Sequence, residues 1–130
     1  MKQAALSIVF AGLATVAQSQ TFICDVKSTG DGFIPETLVI ALDLAANQAV
    51  VYDDIIDWAE GEPLNAKMRT RSNGTTVLSW AMTLPTEPMR VHVSYRAILA
   101  ADKASVVMRG TMRNAENSPK GNGSCKLDNS

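Results

Sequence analysis

The chain has 130 residues, 46% of them hydrophobic and 19% charged, with a formal net charge of −1. That length holds one domain once a leader is set aside, and the balance excludes both a disordered chain and a membrane bundle. One histidine and two cysteines exclude most metal and nucleophile constellations, and no bulk positive field points to nucleic acid.

Met1-Lys2-Gln3 is a short positive start, and Ala4 to Ala17 is apolar or small apart from Ser7 and Thr15. This stretch is too short to span a bilayer, and Ala17-Gln18-Ser19 presents the small residues a signal peptidase reads. Residues 1–19 are therefore expected to be an export signal and 20–130 a single periplasmic or secreted domain. Ile23 before Cys24 argues against a lipid anchor, because that signal needs a small residue there. In an oxidising compartment Cys24 and Cys125 are expected to pair. Closing a loop of about 100 residues contributes roughly 4 to 5 kcal/mol on the chain-entropy account.

Alternation of apolar and polar residues runs through the rest of the chain. Eight strands are expected, near 21–27, 36–44, 48–53, 66–72, 75–84, 89–99, 104–113 and 123–127. Their inward stripes are Leu38, Ile40, Leu42 and Leu44; then Leu78, Trp80, Met82 and Leu84; then Met89, Val91, Val93, Tyr95 and Ala97; then Val106, Met108 and Met112. Asn73-Gly74 reads as a two-residue type I′ hairpin, since both residues tolerate positive φ. Leu44-Ala45-Ala46-Asn47 and Leu99-Ala100-Ala101-Asp102 open two further short hairpins, while Pro85 and Pro88 interrupt the alternation between strands. The expected fold is all-β: an eight-stranded antiparallel meander closed as a small β-barrel, first and last strands joined by the disulfide. A β-sandwich is the alternative.

Charge is split along the chain. Residues 20–65 carry nine acids against Lys27, a balance of −8, and residues 66–130 carry ten bases against four acids, a balance of +6. Alternation puts Lys67, Arg69, Arg71, Arg90, His92, Arg96, Arg109 and Arg113 outward, a candidate face for an anionic partner. The segment 53–65 is the longest acid-rich connection, and Asp53, Asp54, Asp57, Trp58, Glu60 and Glu62 form a candidate contact loop over one barrel end. Their spacing does not match a calcium-binding loop, so no metal is expected. A second polar loop at 114–123 is expected on a barrel rim. His92 has no carboxylate beside it on its own strand face, and no nucleophile motif occurs, so neither catalysis nor a cofactor is expected. Trp80, Met82, Met108 and Met112 read as core, or in a hollow barrel as the lining of an apolar ligand site.

The early Phe22-Ile23-Cys24, the strand end Val50-Val51-Tyr52-Asp53, the Trp80 strand, Tyr95-Arg96 and the closing Gly121 to Cys125 together resemble small exported proteins of Rhodobacter-like alphaproteobacteria. That resemblance covers the whole mature chain and brings no activity with it. Additional cysteines after the first, found in some members, are absent here. In size, barrel and terminal cysteines the chain is also similar to periplasmic lysozyme and protease inhibitors, a likeness of fold alone. The expected function is a non-enzymatic, monomeric binding module engaging an envelope component or a protein, in its sharper form an enzyme inhibitor, without nucleic acid and without a membrane span. A small apolar-ligand carrier of lipocalin-like type is the alternative.

Overall fold

A computed structural model describes residues 19–30, 33–113 and 118–128. The expected export signal lies outside the described residues except for Ser19, which opens the first strand. The strands are β1 (Ser19–Ser28), β2 (Thr37–Asp43), β3 (Gln48–Tyr52), β4 (Leu64–Thr70), β5 (Thr76–Leu84), β6 (Val91–Leu99), β7 (Ser105–Met112) and β8 (Lys120–Leu127). Each pairs antiparallel with the next, and β8 returns to pair with β1, closing an eight-stranded barrel. Cys24 faces Cys125 across that last ladder, and the two are joined by the expected disulfide.

Alternation explains why these segments became strands with one dry face. Leu38, Ile40 and Leu42 of β2, Leu78 and Leu84 of β5, Val93, Ala97 and Leu99 of β6 and Val106 and Met108 of β7 are almost fully buried in one cluster. Burying each large aliphatic side chain contributes about 1.5 to 3 kcal/mol, so the stripes outweigh any local helical preference. The Trp80 and Tyr95 rings, from register partners on β5 and β6, stack inside at 5.8 Å between centroids. Among the described residues the buried Trp80 indole Nε1 has no hydrogen-bond partner.

Two residues assigned to inward stripes fall outside them. Leu44 lies in the β2–β3 turn and is exposed, because the strand ends at Asp43. Met89 is 69% exposed in the β5–β6 connection, because Pro88 has no N–H to donate and the ladder resumes only at Val91. The Asn73-Gly74 turn also differs from expectation. Gly74 alone takes positive φ, at 91°, and its N–H donates to the Arg71 carbonyl while the Arg71 N–H donates to Thr75. The result is a three-residue loop with a left-handed bulge rather than a two-residue type I′ turn. The Asn73 side chain accepts from the Thr75 N–H and hydroxyl, which holds Asn73 out of the left-handed region. The two alanine-rich hairpins do join strands, but the left-handed residue is Asn47 in one and Lys103, one place further along, in the other.

The turns at 44–47, 71–75 and 100–104 share one end of the barrel, and the longer connections share the other. At that second end a helix stands where a loop was expected, α1 (Asp54–Glu60). Asp53 caps it by accepting the Ile56 N–H at 2.7 Å, and Gly61 ends it in the left-handed conformation. Ile56 is fully buried in the core cluster, while Ile55 and Ala59 pack against it half-buried. β8 begins at Lys120, three residues before its expected start, because Gly121 and Gly123 pair with β1 and β7.

Candidate functional site

Register gathers charges that are scattered in sequence. Lys67 on β4 faces Ser79 on β5, Ser79 faces Arg96 on β6, Arg96 faces Arg109 on β7, and Arg109 faces Lys120 on β8. All five positions point outward, since their strand neighbours are the inward ones. With strands about 4.8 Å apart, Arg96, Arg109 and Lys120 fall within roughly 10 Å of one another along the row. Like charges placed directly opposite in a ladder repel. None of the positions flanking Arg96 or Arg109 carries a carboxylate: they are Ser79, Val77, Ala81, Ser94 and Ile98, then Val107, Thr111, Ser118, Lys120 and Asn122.

Beside the row the wall is hollowed by small side chains. Ser79, Ala81, Ser94 and Thr111, together with Lys67, Arg96 and Arg109, line an open depression of about 440 Å³. Trp80 and Tyr95 lie beneath it. On the other side of the cations runs an apolar row, Val77, Ile98 and Val107, with Arg69 at its edge opposite Val77.

The remaining members of the expected cationic face lie elsewhere. Arg71 is in the β4–β5 turn, at the far end from Arg90, which is in the β5–β6 connection. His92 points outward, its Nδ1 2.7 Å from the Thr83 hydroxyl, and the Arg113 N–H donates to the His92 carbonyl. Lys67, Arg96 and Arg109 are thus brought together, Arg69 lies one step from Lys67 on the same face of β4, and the other four are not part of the row. Lys120 joins the row, a residue that alternation alone did not place, because its strand was expected to start later.

The acid-rich segment forms a separate feature. Asp54, Asp57 and Trp58 share the exposed face of α1, and Trp58, 49% exposed, lies 6.2 Å from the Phe33 ring. The Tyr52 hydroxyl donates to Asp57 at 2.7 Å, a bond that pushes the phenol's pKa up. Asp53 is the exception in the expected contact loop, since it is 4% exposed and turned to the helix amides. Burial raises its pKa to about 6, opposed by the amides of Ile56 and Ile55 and reinforced by the charge of Asp54. The Tyr95 hydroxyl donates to the Phe33 carbonyl at 2.5 Å, tying the β1–β2 connection to β6, and burial raises this phenol's pKa as well. Asp53 and Gly61 were the signals for the helix, an N-cap and a C-cap eight residues apart.

Among the described residues no three His, Cys, Asp or Glu side chains cluster as a metal site, and no helix is long and apolar enough to cross a membrane. Comparison with known protein families, curated proteins and solved structures finds no match for the chain.

Proposed function

We propose that the protein is a non-enzymatic binding module working outside the cytoplasm, whose β4–β8 wall receives an anionic envelope component or protein surface. One observation carries this reading: Arg96, Arg109 and Lys120 are opposed in register with no carboxylate in the adjoining ladder positions. Acids of the chain can neutralise such a row, but among the described residues none lies on β4 to β8: Asp25 and Asp43 are on β1 and β2, Asp54, Asp57 and Glu60 on α1, and Glu87, Asp102 and Asp128 outside the strands. Self-repulsion left in place is offset when an anion docks. The disulfide between the only two cysteines supports an oxidising compartment.

The carrier reading needs an interior space lined by Trp80 and the methionines. Trp80, Met82, Met108 and Met112 instead pack with Tyr95 in the core, and the described depressions open on the outside, which favours docking on the wall. The inhibitor form of the reading rests on the exposed Trp58 with Asp54 and Asp57 on the outer face of α1, a set of side chains suited to an enzyme cleft. Slowed turnover of at least one lysozyme or secreted protease supports that form, and no inhibition across a broad panel removes it.

The wall is tested by retention on immobilised dextran sulfate at low and raised salt. Retention lost at high salt and in the Arg96→Glu/Arg109→Glu variant is expected, whereas Arg71→Glu/Arg90→Glu, an equal change of charge placed in the connections, should elute close to the wild type. Equal loss in both variants would show a response to net charge alone and overturn the reading.

A further inference from the structure

We propose that the depression on the β5–β7 wall is a binding site for a phosphate or sulfate ester group, held between the Arg96 and Arg109 guanidiniums. This rests on the proposed anionic wall and names the group it recognises. The two arginines are direct cross-strand partners, so their side chains start about 5 Å apart and a group between them meets both forks. Ser79 flanks Arg96 in the same row, and Ser94 and Thr111 face each other one step along the same strands. Three hydroxyls from three strands therefore border the two guanidiniums, and all five residues line the one hollow together with Lys67.

This donor set suits a tetrahedral oxyanion better than a carboxylate. A carboxylate has one charge and two oxygens in a plane, which one guanidinium fork satisfies. A phosphomonoester carries about −1.5 to −2 at neutral pH and three acceptor oxygens, enough to offset two opposed guanidiniums while accepting from hydroxyls on a third side. A sulfate ester, with a single charge, matches the set through its three oxygens alone. Ala81 leaves the floor open, and among the described residues no acid occupies an adjoining ladder position to compete. The rest of the ligand would lie along the wall, where the half-buried Ile98 and the exposed Val107 offer apolar contact on one side of the row. A phosphorylated or sulfated glycan and a phosphate lipid headgroup share this chemistry.

The test titrates the full mature protein, ¹⁵N-labelled, with inorganic phosphate, inorganic sulfate and acetate at constant ionic strength, following arginine Nε–H and backbone resonances. Saturable shifts of Arg96, Arg109, Ser94 and Thr111 with phosphate or sulfate, and not with acetate, are expected. Arg96→Gln and Arg109→Gln should each weaken phosphate binding about tenfold while the remaining spectrum stays that of the wild type. Ser94→Ala, which keeps both charges, should weaken it less. Glucose 6-phosphate binding at least as tightly as inorganic phosphate supports a glycan source. Vesicles with phosphatidic acid that retain the protein while phosphatidylcholine vesicles do not support a lipid source.

Shifts that are equal for acetate and phosphate, or that centre on Arg90 and Arg113, overturn the site. If dextran sulfate retention still depends on Arg96 and Arg109 but phosphate and sulfate give no saturable shift, the ester assignment fails and the anionic wall stands. Loss of both overturns both.

Discussion

Two junctions separate the acidic third of this barrel, β1 to β3 with α1, from the basic remainder, and they are built in opposite ways. At the β1–β8 junction the ladder runs seven register pairs, from Phe22 opposite Leu127 to Ser28 opposite Gly121, with the disulfide inside it. At the β3–β4 junction only three pairs form, Ala49 with Ala66, Val50 with Asn65 and Val51 with Leu64, and α1 bridges the strands instead. Leu64, Ala66 and Met68 of β4 are only half-buried, whereas Phe22, Cys24 and Val26 of β1 are buried. One border is held by covalent and backbone contact, the other by a helix seated on the core. Local opening should therefore begin at β3–β4, where few apolar contacts oppose it.

Removing the covalent tie should have the largest effect. The bond spans 101 residues of sequence, and the chain-entropy account gives about 4 to 5 kcal/mol for such a loop. The Cys24→Ser/Cys125→Ser variant should lose close to that amount in urea unfolding, and native-state hydrogen exchange should then show both borders opening alike. If β3–β4 remains the less protected border, the length of the β1–β8 ladder matters more than its disulfide.

Next comes the backbone approach at the same border. A Cβ on Gly123 would meet the Asp25 carbonyl oxygen at 1.8 Å and the Val26 Cα at 2.8 Å, contacts that only movement of a strand can relieve. Gly123→Ala should cost about 3 kcal/mol, at the upper end of overpacking penalties. A loss under about 1 kcal/mol would mean that β8 has freedom to shift, and the contrast between the borders would weaken.

At the other border the sensitive group is Asp53. Its carboxyl, raised from about 3.8 to about 6 by burial, holds its proton more tightly folded than unfolded. The resulting stability is fully present below about pH 4 and lost as pH rises through 6. Asn caps a helix as well as Asp and carries no charge. Asp53→Asn should therefore flatten the pH dependence between 4 and 6. It should leave the variant more stable than the wild type at pH 7 by about 2 kcal/mol, less than a full two-unit shift because the barrel mouth is partly wet. Slower exchange of the Val50 and Asn65 amides at pH 7 would place that gain at β3–β4. No difference between the proteins across the window would mean that water reaches Asp53 freely.

Alternation and the cysteine pair made the barrel and its covalent closure legible before any coordinates, because both follow from side-chain chemistry at fixed positions. The cationic row was only half legible. Outward placement of Lys67, Arg96 and Arg109 follows from period two, but their shared row is set by register, and register depends on turns such as 71–75, whose left-handed bulge departs from the expected type I′ form. Lys120 was hidden because Gly121 and Gly123 weaken a strand pattern, although close approach to β1 is the reason they are there. The helix was hidden in an acid-rich run whose apolar residues, Ile55, Ile56 and Ala59, lie three and four apart within barely two turns.

The smallest expected effect lies on the wall between the borders, and there the sign matters more than the size. Arg109 is opposed by Arg96 on one side and Lys120 on the other, with no acid in the adjoining positions. Opposed like charges cost a few tenths of a kcal/mol each, so Arg109→Gln should stabilise the fold by about 0.5 kcal/mol in dilute chloride. Near 1 M salt, where screening acts within about 3 Å, the gain should vanish. Phosphate buffer is unsuitable for the measurement, since an anion in the depression would stabilise the wild type alone. The same substitution should release the protein from dextran sulfate at lower salt, so that stability and binding move in opposite directions. A destabilised Arg109→Gln would mean that the guanidinium is held by partners within its own chain, and the wall would then be a neutralised surface rather than one open to an anion.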